Sequence, residues 1–221
     1  MKLKEVKCVI FDMDGVIFDS ESLWAKAFYK ANEVFNYNFS EEVRKSWCGR
    51  GEQEIRDELA PILNGRHNEY RDYICNYVDH ITMNSKVPLK EGFFELINNL
   101  KNRNIKIGLA TSSIKRRAVK MFNDIGIDVE KEFDSAIFTE DVICPKPNPE
   151  IFIKVAQKIG VSPKQCIVLE DSITGITGAI NGGFNPCFVI DLTVPSKEIK
   201  EKCVFVANDL YEVNDFINQN M

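Results

Sequence analysis

An α/β fold, a doubly wound parallel sheet carrying one inserted block of helices, is the class this sequence predicts, and three features predict it. The first apolar run, Cys8-Val9-Ile10-Phe11, is short, β-branched and uninterrupted, the pattern of a strand covered on both faces. From Val87 onward, apolar runs of strand length alternate with segments of helical period, which implies βαβ units. Between the two, from Asp19 to Ser85, the periodicity is helical throughout and far longer than an ordinary crossover. Residues 1–18 and 86–221 are therefore assigned to a core sheet domain and residues 19–85 to an α-helical cap domain.

Taken in order, Leu23, Trp24, Ala27, Phe28, Ala31, Val34 and Phe35 form one apolar stripe after the first strand. Turn signals follow at Asn36 to Ser40, Gly49 to Gly51, Pro61 and Asn64-Gly65. Ser40-Glu41-Glu42 reads as an N-cap with acids in the first turn, and Tyr70, Ile74, Tyr77, Val78 and Ile81 stripe the last inserted helix. In the core, helices are expected over residues 91–102, 113–125 (stopped by Gly126), 149–159 (stopped by Gly160), 173–181 (stopped by Gly182-Gly183) and 211–218. Strands are expected over 105–110, 135–138, 166–169, 187–190 and 203–206.

Composition narrows the function. With 28 Lys+Arg against 33 Asp+Glu the net charge is -5, so no global basic field draws nucleic acid or anionic membrane, and any phosphate site must be local. Seven cysteines stand singly, mostly in or beside apolar runs and with no CxxC pair, which reads as buried thiols in a reducing compartment. Lys2, Lys4, Glu5 and Lys7 occupy the place of a secretory signal's apolar stretch, and no run is long enough to span a bilayer. A cytoplasmic, monomeric protein with neither a nucleic-acid nor a membrane partner is expected.

In a doubly wound sheet, function gathers outside the carboxyl ends of the strands. The first apolar run ends in Asp12-Met13-Asp14, whose acids leave an extended segment on one side, with Gly15 turning the backbone away. Such a pair calls for a neutralising cation, most simply Mg²⁺, although a solvated turn would also account for it. The 105–110 run ends in Thr111-Ser112-Ser113 and the 166–169 run in Glu170-Asp171-Ser172, and between them stands Pro145-Lys146-Pro147. Each has a plain reading: two helix caps and one exposed lysine. Their joint appearance at successive strand ends is much harder to attribute to capping. A carboxylate nucleophile, hydroxyl and N–H donors, a cation and a second acidic cluster are what phosphoryl transfer requires.

FDMDGV, then TSS after an apolar strand, KPNPEIF, and LEDS leading into a helix together resemble the haloacid dehalogenase superfamily, in its β-phosphoglucomutase-like branch with an α-helical cap and a Rossmann-like core. The resemblance spans nearly the whole core. It implies Asp12 as nucleophile forming an aspartyl phosphate and Asp14 as general acid and then base. It further implies phosphate binding by Thr111, the Ser112 N–H and Lys146, and Mg²⁺ held by Asp12, the Asp14 carbonyl, Asp171 and Glu170. A small phosphorylated metabolite, a sugar phosphate in the first place, is the expected substrate. Trp24 and Cys48-Gly49 stand where β-phosphoglucomutases carry a histidine and a Lys-Gly pair, and Pro145 where these enzymes usually have glycine. Hydrolysis is accordingly expected ahead of mutase chemistry, with Arg50 and Arg66 as the candidate contacts to a second phosphate if the latter holds. His67 and His80 are expected on the cap surface. Outside enzymes, a phospho-accepting receiver module would share the residue types but is far shorter and capless, and an inert scaffold would leave the constellation unused.

Overall fold

The computed structural model describes residues 5–48 and 50–220. Six parallel strands, β1 (Cys8–Phe11), β2 (Lys106–Ala110), β3 (Ser135–Ile137), β4 (Cys166–Glu170), β5 (Asn185–Val189) and β6 (Phe205–Ala207), form one sheet in the order β3-β2-β1-β4-β5-β6. The chain runs outward from β1 through β2 to β3, then returns to lay β4 on the other side of β1, so the order reverses at the strand that carries the acidic pair.

The uninterrupted apolar character of β1 follows from its place. Val9 and Phe11 pack into one layer with α5 (Phe93–Asn102), α6 (Lys115–Asp124) and α11 (Leu210–Asn220), while Cys8 and Ile10 pack into the other with α8 (Glu150–Ile159) and α9 (Ile173–Asn181). Two short helices, α7 (Val129–Glu132) and α10 (Lys197–Lys202), complete the core and carry too little periodicity to be legible beforehand.

Between β1 and α5 lie α1 (Glu21–Phe35), α2 (Glu41–Ser46), α3 (Glu52–Leu59) and α4 (His67–Asn84), with no strand among the described residues of this stretch. They bury an apolar cluster of their own around Tyr70, whose ring meets Phe35, Tyr37, Phe39 and Trp47 edge-on. The chain leaves the core and returns to it side by side: the Asp19 N–H donates to the Pro88 carbonyl and the Lys90 N–H to that of Ile17. No helix among the described residues is long and apolar enough to cross a membrane.

Several details differ from the sequence reading. Val34 is exposed although the sequence spacing assigns it to the α1 stripe, while the next residue, Phe35, packs on Tyr70 and Tyr73. Ser40 stands at the N-cap of α2 without making a side-chain cap bond. β5 starts at Asn185 and contains Pro186, whose carbonyl accepts from the Val204 N–H at 2.8 Å, so a proline is tolerated where its missing donor is not needed. Of the seven free cysteines only Cys8, Cys166 and Cys187 are buried, and Cys144 is exposed.

The Tyr70 hydroxyl donates to Asn32 Oδ1 at 2.8 Å in this buried cluster, and Asn32 Nδ2 donates to the Phe39 carbonyl. Tyr70→Phe should therefore leave an amide oxygen buried without a donor and lower stability by about 1–3 kcal/mol. The check is urea unfolding, with the midpoint falling at unchanged slope.

Candidate active site

Strands β1 and β4 end side by side, and each delivers a carboxylate to the same point. Asp12 follows β1, anchored by its N–H on the Leu169 carbonyl, and Glu170 is the last residue of β4. Lys146 lies between them: its Nζ stands 2.6 Å from Asp12 Oδ1 and 2.6 Å from Glu170 Oε1, with the Ala110 carbonyl at 3.3 Å. At 2 % exposure this lysine is the opposite of a solvated turn residue. The remaining Glu170 oxygen accepts from the N–H and hydroxyl of Ser172, at 2.9 and 2.8 Å. Ser172 does cap α9, accepting from the Gly175 N–H, so capping and site-building coexist in one residue. Gly175 is obligatory, because a Cβ there would fall 1.8 Å from Glu170 Oε1.

Asp14 is held by two hydroxyls, Ser20 Oγ donating to Oδ1 at 2.5 Å and Ser113 Oγ to Oδ2 at 2.6 Å. Asp171 differs from both neighbours. It is buried, it borders the same cavity, and among the described residues its carboxylate accepts no hydrogen bond and has no ion-pair partner. It presses against Gly15, where a Cβ would stand 2.2 Å from Oδ2, and Gly15 sits at φ +79°, which glycine alone adopts freely.

Ser112 lines the cavity, whereas Thr111 does not: it is fully buried and its hydroxyl accepts from the Ser113 N–H at 3.0 Å. The helix expected from Ser113 begins at Lys115 behind an Ile114 cap, and Glu140 caps the Lys115 N–H. The Ser113 hydroxyl is thereby freed for Asp14.

The electrostatics are those of a site short of positive charge. Burial pushes the Asp12 carboxyl up, aided by Glu170 and Asp14 and opposed by Lys146. Burial, then Glu170, Glu21 and Asp12, raise Asp171 well above the usual carboxylate range. Burial also pushes Glu21 up to about 7, aided by Asp14. For Lys146 burial favours the neutral amine, but the two carboxylates outweigh it and hold the ammonium.

The cavity above these groups measures about 300 Å³. Its far wall belongs to α1–α4 and the loops between them and is partly apolar, with Trp24, Phe28, Trp47, Ile55 and Ile74. Arg44, Arg50 and Arg71 also reach it, each already paired: Arg44 with Glu41 and Glu21, Arg50 with Glu54 and Glu58, Arg71 with Glu52. Arg66 lies outside, half-exposed and paired with Glu69. His80 is exposed and His67 half-buried, and neither borders the cavity. Sequence reasoning missed Ser20, Ser113, Glu21, Asp79 and Arg117 as site residues. Only Ser113, inside the Thr-Ser-Ser triplet, had a local signal.

Comparison with known proteins supplies the class. Residues 6–183 match the family of haloacid dehalogenase-like hydrolases, and the chain belongs to that family. Over 184 residues it is 31% identical to a phosphorylated carbohydrates phosphatase of Thermotoga maritima, covering 80% of this chain and 82% of that protein. It is 30% identical over 191 residues to the β-phosphoglucomutase of Bacillus subtilis, covering 80% of each. A crystal structure titled as a putative β-phosphoglucomutase from Thermotoga maritima superposes with a TM-score of 0.73 at 26% identity, covering 98% of this chain and all of that one. The protein is a phosphoric monoester hydrolase of the β-phosphoglucomutase-like branch.

Members of this superfamily generally use Mg²⁺, and the residues fit it. Among the described residues no three His, Cys, Asp or Glu side chains form a ready-made cage. Mg²⁺ does not ask for one, since it usually takes one or two carboxylates and completes its shell with water and substrate phosphate. The unpartnered buried carboxylate of Asp171, beside Asp12, is a donor that a hard cation would satisfy.

A carboxyl whose folded-state pKa is raised favours the fold below its unfolded pKa and loses that contribution as pH climbs through the folded value. For Glu21 the window runs from the ordinary carboxylate range to about 7. Bound metal requires deprotonated ligands, so Mg²⁺ competes with these protons. The rise in melting temperature on adding Mg²⁺ over EDTA should be larger at pH 8 than at pH 6. A rise that is equal or larger at pH 6 would contradict the assignment of this acidic cluster to the metal.

Proposed function

We propose that this hydrolase removes the phosphoryl group from a small phosphorylated carbohydrate, with Mg²⁺ as cofactor and an aspartyl phosphate on Asp12 as intermediate. The observation that carries the proposal is the buried Lys146, which binds one oxygen of Asp12 while Asp14, two residues on, is held by hydroxyls at the floor of a cavity sized for a sugar phosphate. Mg²⁺, held by Asp12, the Asp14 main-chain carbonyl and Asp171, would supply positive charge against the approaching phosphate. Glu170 has both oxygens engaged by Lys146 and Ser172, so it would contribute through water.

In this reading an Asp12 oxygen attacks phosphorus as the ester bond to the alcohol breaks, and protonated Asp14 delivers its proton to the departing oxygen. Asp14 then takes a proton from a water that attacks the same phosphorus, the bond to Asp12 breaks, and inorganic phosphate leaves. Lys146 and the Ser112 N–H neutralise and orient the phosphoryl oxygens, while Thr111, buried beneath them, braces the loop through the Ser113 N–H. α1–α4 act as the cap that excludes water and offers Trp24 and Trp47 to the face of a sugar ring.

The mutase alternative needs a cationic contact for a second phosphate. Arg44, Arg50 and Arg71 are each already satisfied by glutamates, Arg117 at the cavity edge is paired with Asp79, and Arg66 lies away from the cavity. That pairing favours hydrolysis of monophosphates.

Phosphate release from a panel of sugar and nucleoside monophosphates should require Mg²⁺, stop in EDTA and fall by about 10⁴-fold or more in Asp12→Asn, which keeps the side chain's size but loses the nucleophilic charge. Isomerisation of β-glucose 1-phosphate on adding glucose 1,6-bisphosphate, without phosphate release, would instead establish the mutase.

A further inference from the structure

One buried guanidinium ties the cap to the acid–base carboxylate. Arg117, on α6 of the core, is 8 % exposed. Its Nη1 donates to Asp79 Oδ1 on cap helix α4 at 2.9 Å, and its carbon lies 5.2 Å from the ring centroid of Trp24 on cap helix α1. Its Nη2 donates to Ser113 Oγ at 3.0 Å, and that hydroxyl donates onward to Asp14 Oδ2 at 2.6 Å. Arg116 binds the other Asp79 oxygen from solvent, at 3.1 Å, so Asp79 is fixed from both sides. The Arg117 Nε is buried with no partner, an expense that a surface ion pair would avoid.

The geometry points to Arg117 as a positioning residue: it makes the orientation of Asp14 depend on the seating of the cap through Asp79 and Trp24. By donating to Ser113, Arg117 occupies a lone pair of that hydroxyl and commits its proton to Asp14. Oδ2 is thus kept as an acceptor and the carboxyl plane is fixed. If the cap lifts, Asp79 and Trp24 withdraw from the guanidinium, its direct ion pair is lost, and the grip on Ser113 loosens with it. The inference rests on the reading of Asp14 as general acid.

The leaving group provides the test. An alkoxide needs the Asp14 proton to depart, whereas p-nitrophenolate leaves unaided, so kcat/KM for the two substrates separates acid positioning from general damage. With glucose 6-phosphate and p-nitrophenyl phosphate as probes, Arg117→Met and Asp79→Asn should each lower kcat/KM for the alkyl ester by about ten- to hundredfold. The aryl ester should lose about threefold or less, and Arg117→Lys should recover part of the alkyl activity. Melting curves in parallel separate any variant that fails to fold, and Asp79→Asn, which keeps the side chain's volume, carries the test if Arg117→Met does not fold. Equal losses on both substrates in a folded variant would overturn the positioning role. Activity that survives Asp12→Asn, or inactivity on these two and on every member of the panel, would instead overturn the phosphatase reading itself.

Discussion

The buried ion triplet of Asp12, Lys146 and Glu170 is the constraint on which the rest of the molecule depends. An ammonium taken out of water is tolerated only when its charge is matched and its hydrogens are used, and Lys146 finds two carboxylates and a carbonyl. Those groups come from the ends of β1, β2 and β4, so the triplet forms only if the three strands end in register. Glu170 is locked in turn by Ser172, and Gly175 leaves room for it. Removing the lysine would strand two carboxylates beside a third, Asp171, that has no partner among the described residues. The site is therefore built with more negative than positive charge, a state that a divalent cation would relieve.

The second layer of organisation is the seat of the cap. Among the contacts that seat the helical unit on the core are Asp79 on Arg116 and Arg117, Trp24 on Arg117, the Cys48 carbonyl on Thr174, and Gly51 against Pro145, where a Cβ would stand 2.7 Å from the proline ring. The last contact gives Pro145 a role, since it packs on the cap in the residue before the buried lysine. What remains between the two units is a cavity with an ionic floor and a partly apolar roof, suited to an anionic head and a neutral body. The roof arginines Arg44, Arg50 and Arg71 are paired with glutamates.

Legibility from sequence follows from how local each interaction is. The acidic pair and Glu170-Asp171 were readable because each is a change of chemistry at the end of an apolar run, and the fold places strand ends together; Lys146, in a loop, was readable only by its place between flanking prolines. The six-stranded parallel sheet and the helical insertion follow from periodicity. Arg117 was invisible as a site residue: it lies on an amphipathic helix like any surface arginine, and its meaning comes from Asp79, 38 residues away, once α4 docks on α6. Ser113 reads as a cap, yet its hydroxyl is claimed by Asp14 from 99 residues away. Thr111 was placed correctly at a strand end, but its hydroxyl turns to the Ser113 N–H, a rotamer choice with no trace in spacing.

The most direct test of the central claim, that the carboxylate gripped by Lys146 is the nucleophile, is to trap the intermediate. Wild-type enzyme mixed with its best panel substrate and Mg²⁺, quenched in acid within the first turnover and digested, should yield the peptide containing Asp12 with the added mass of one phosphoryl group, removable by hydroxylamine. Asp12→Asn should yield none. Phosphoryl mass on any other residue, or none anywhere while phosphate is released in the same interval, would contradict the account.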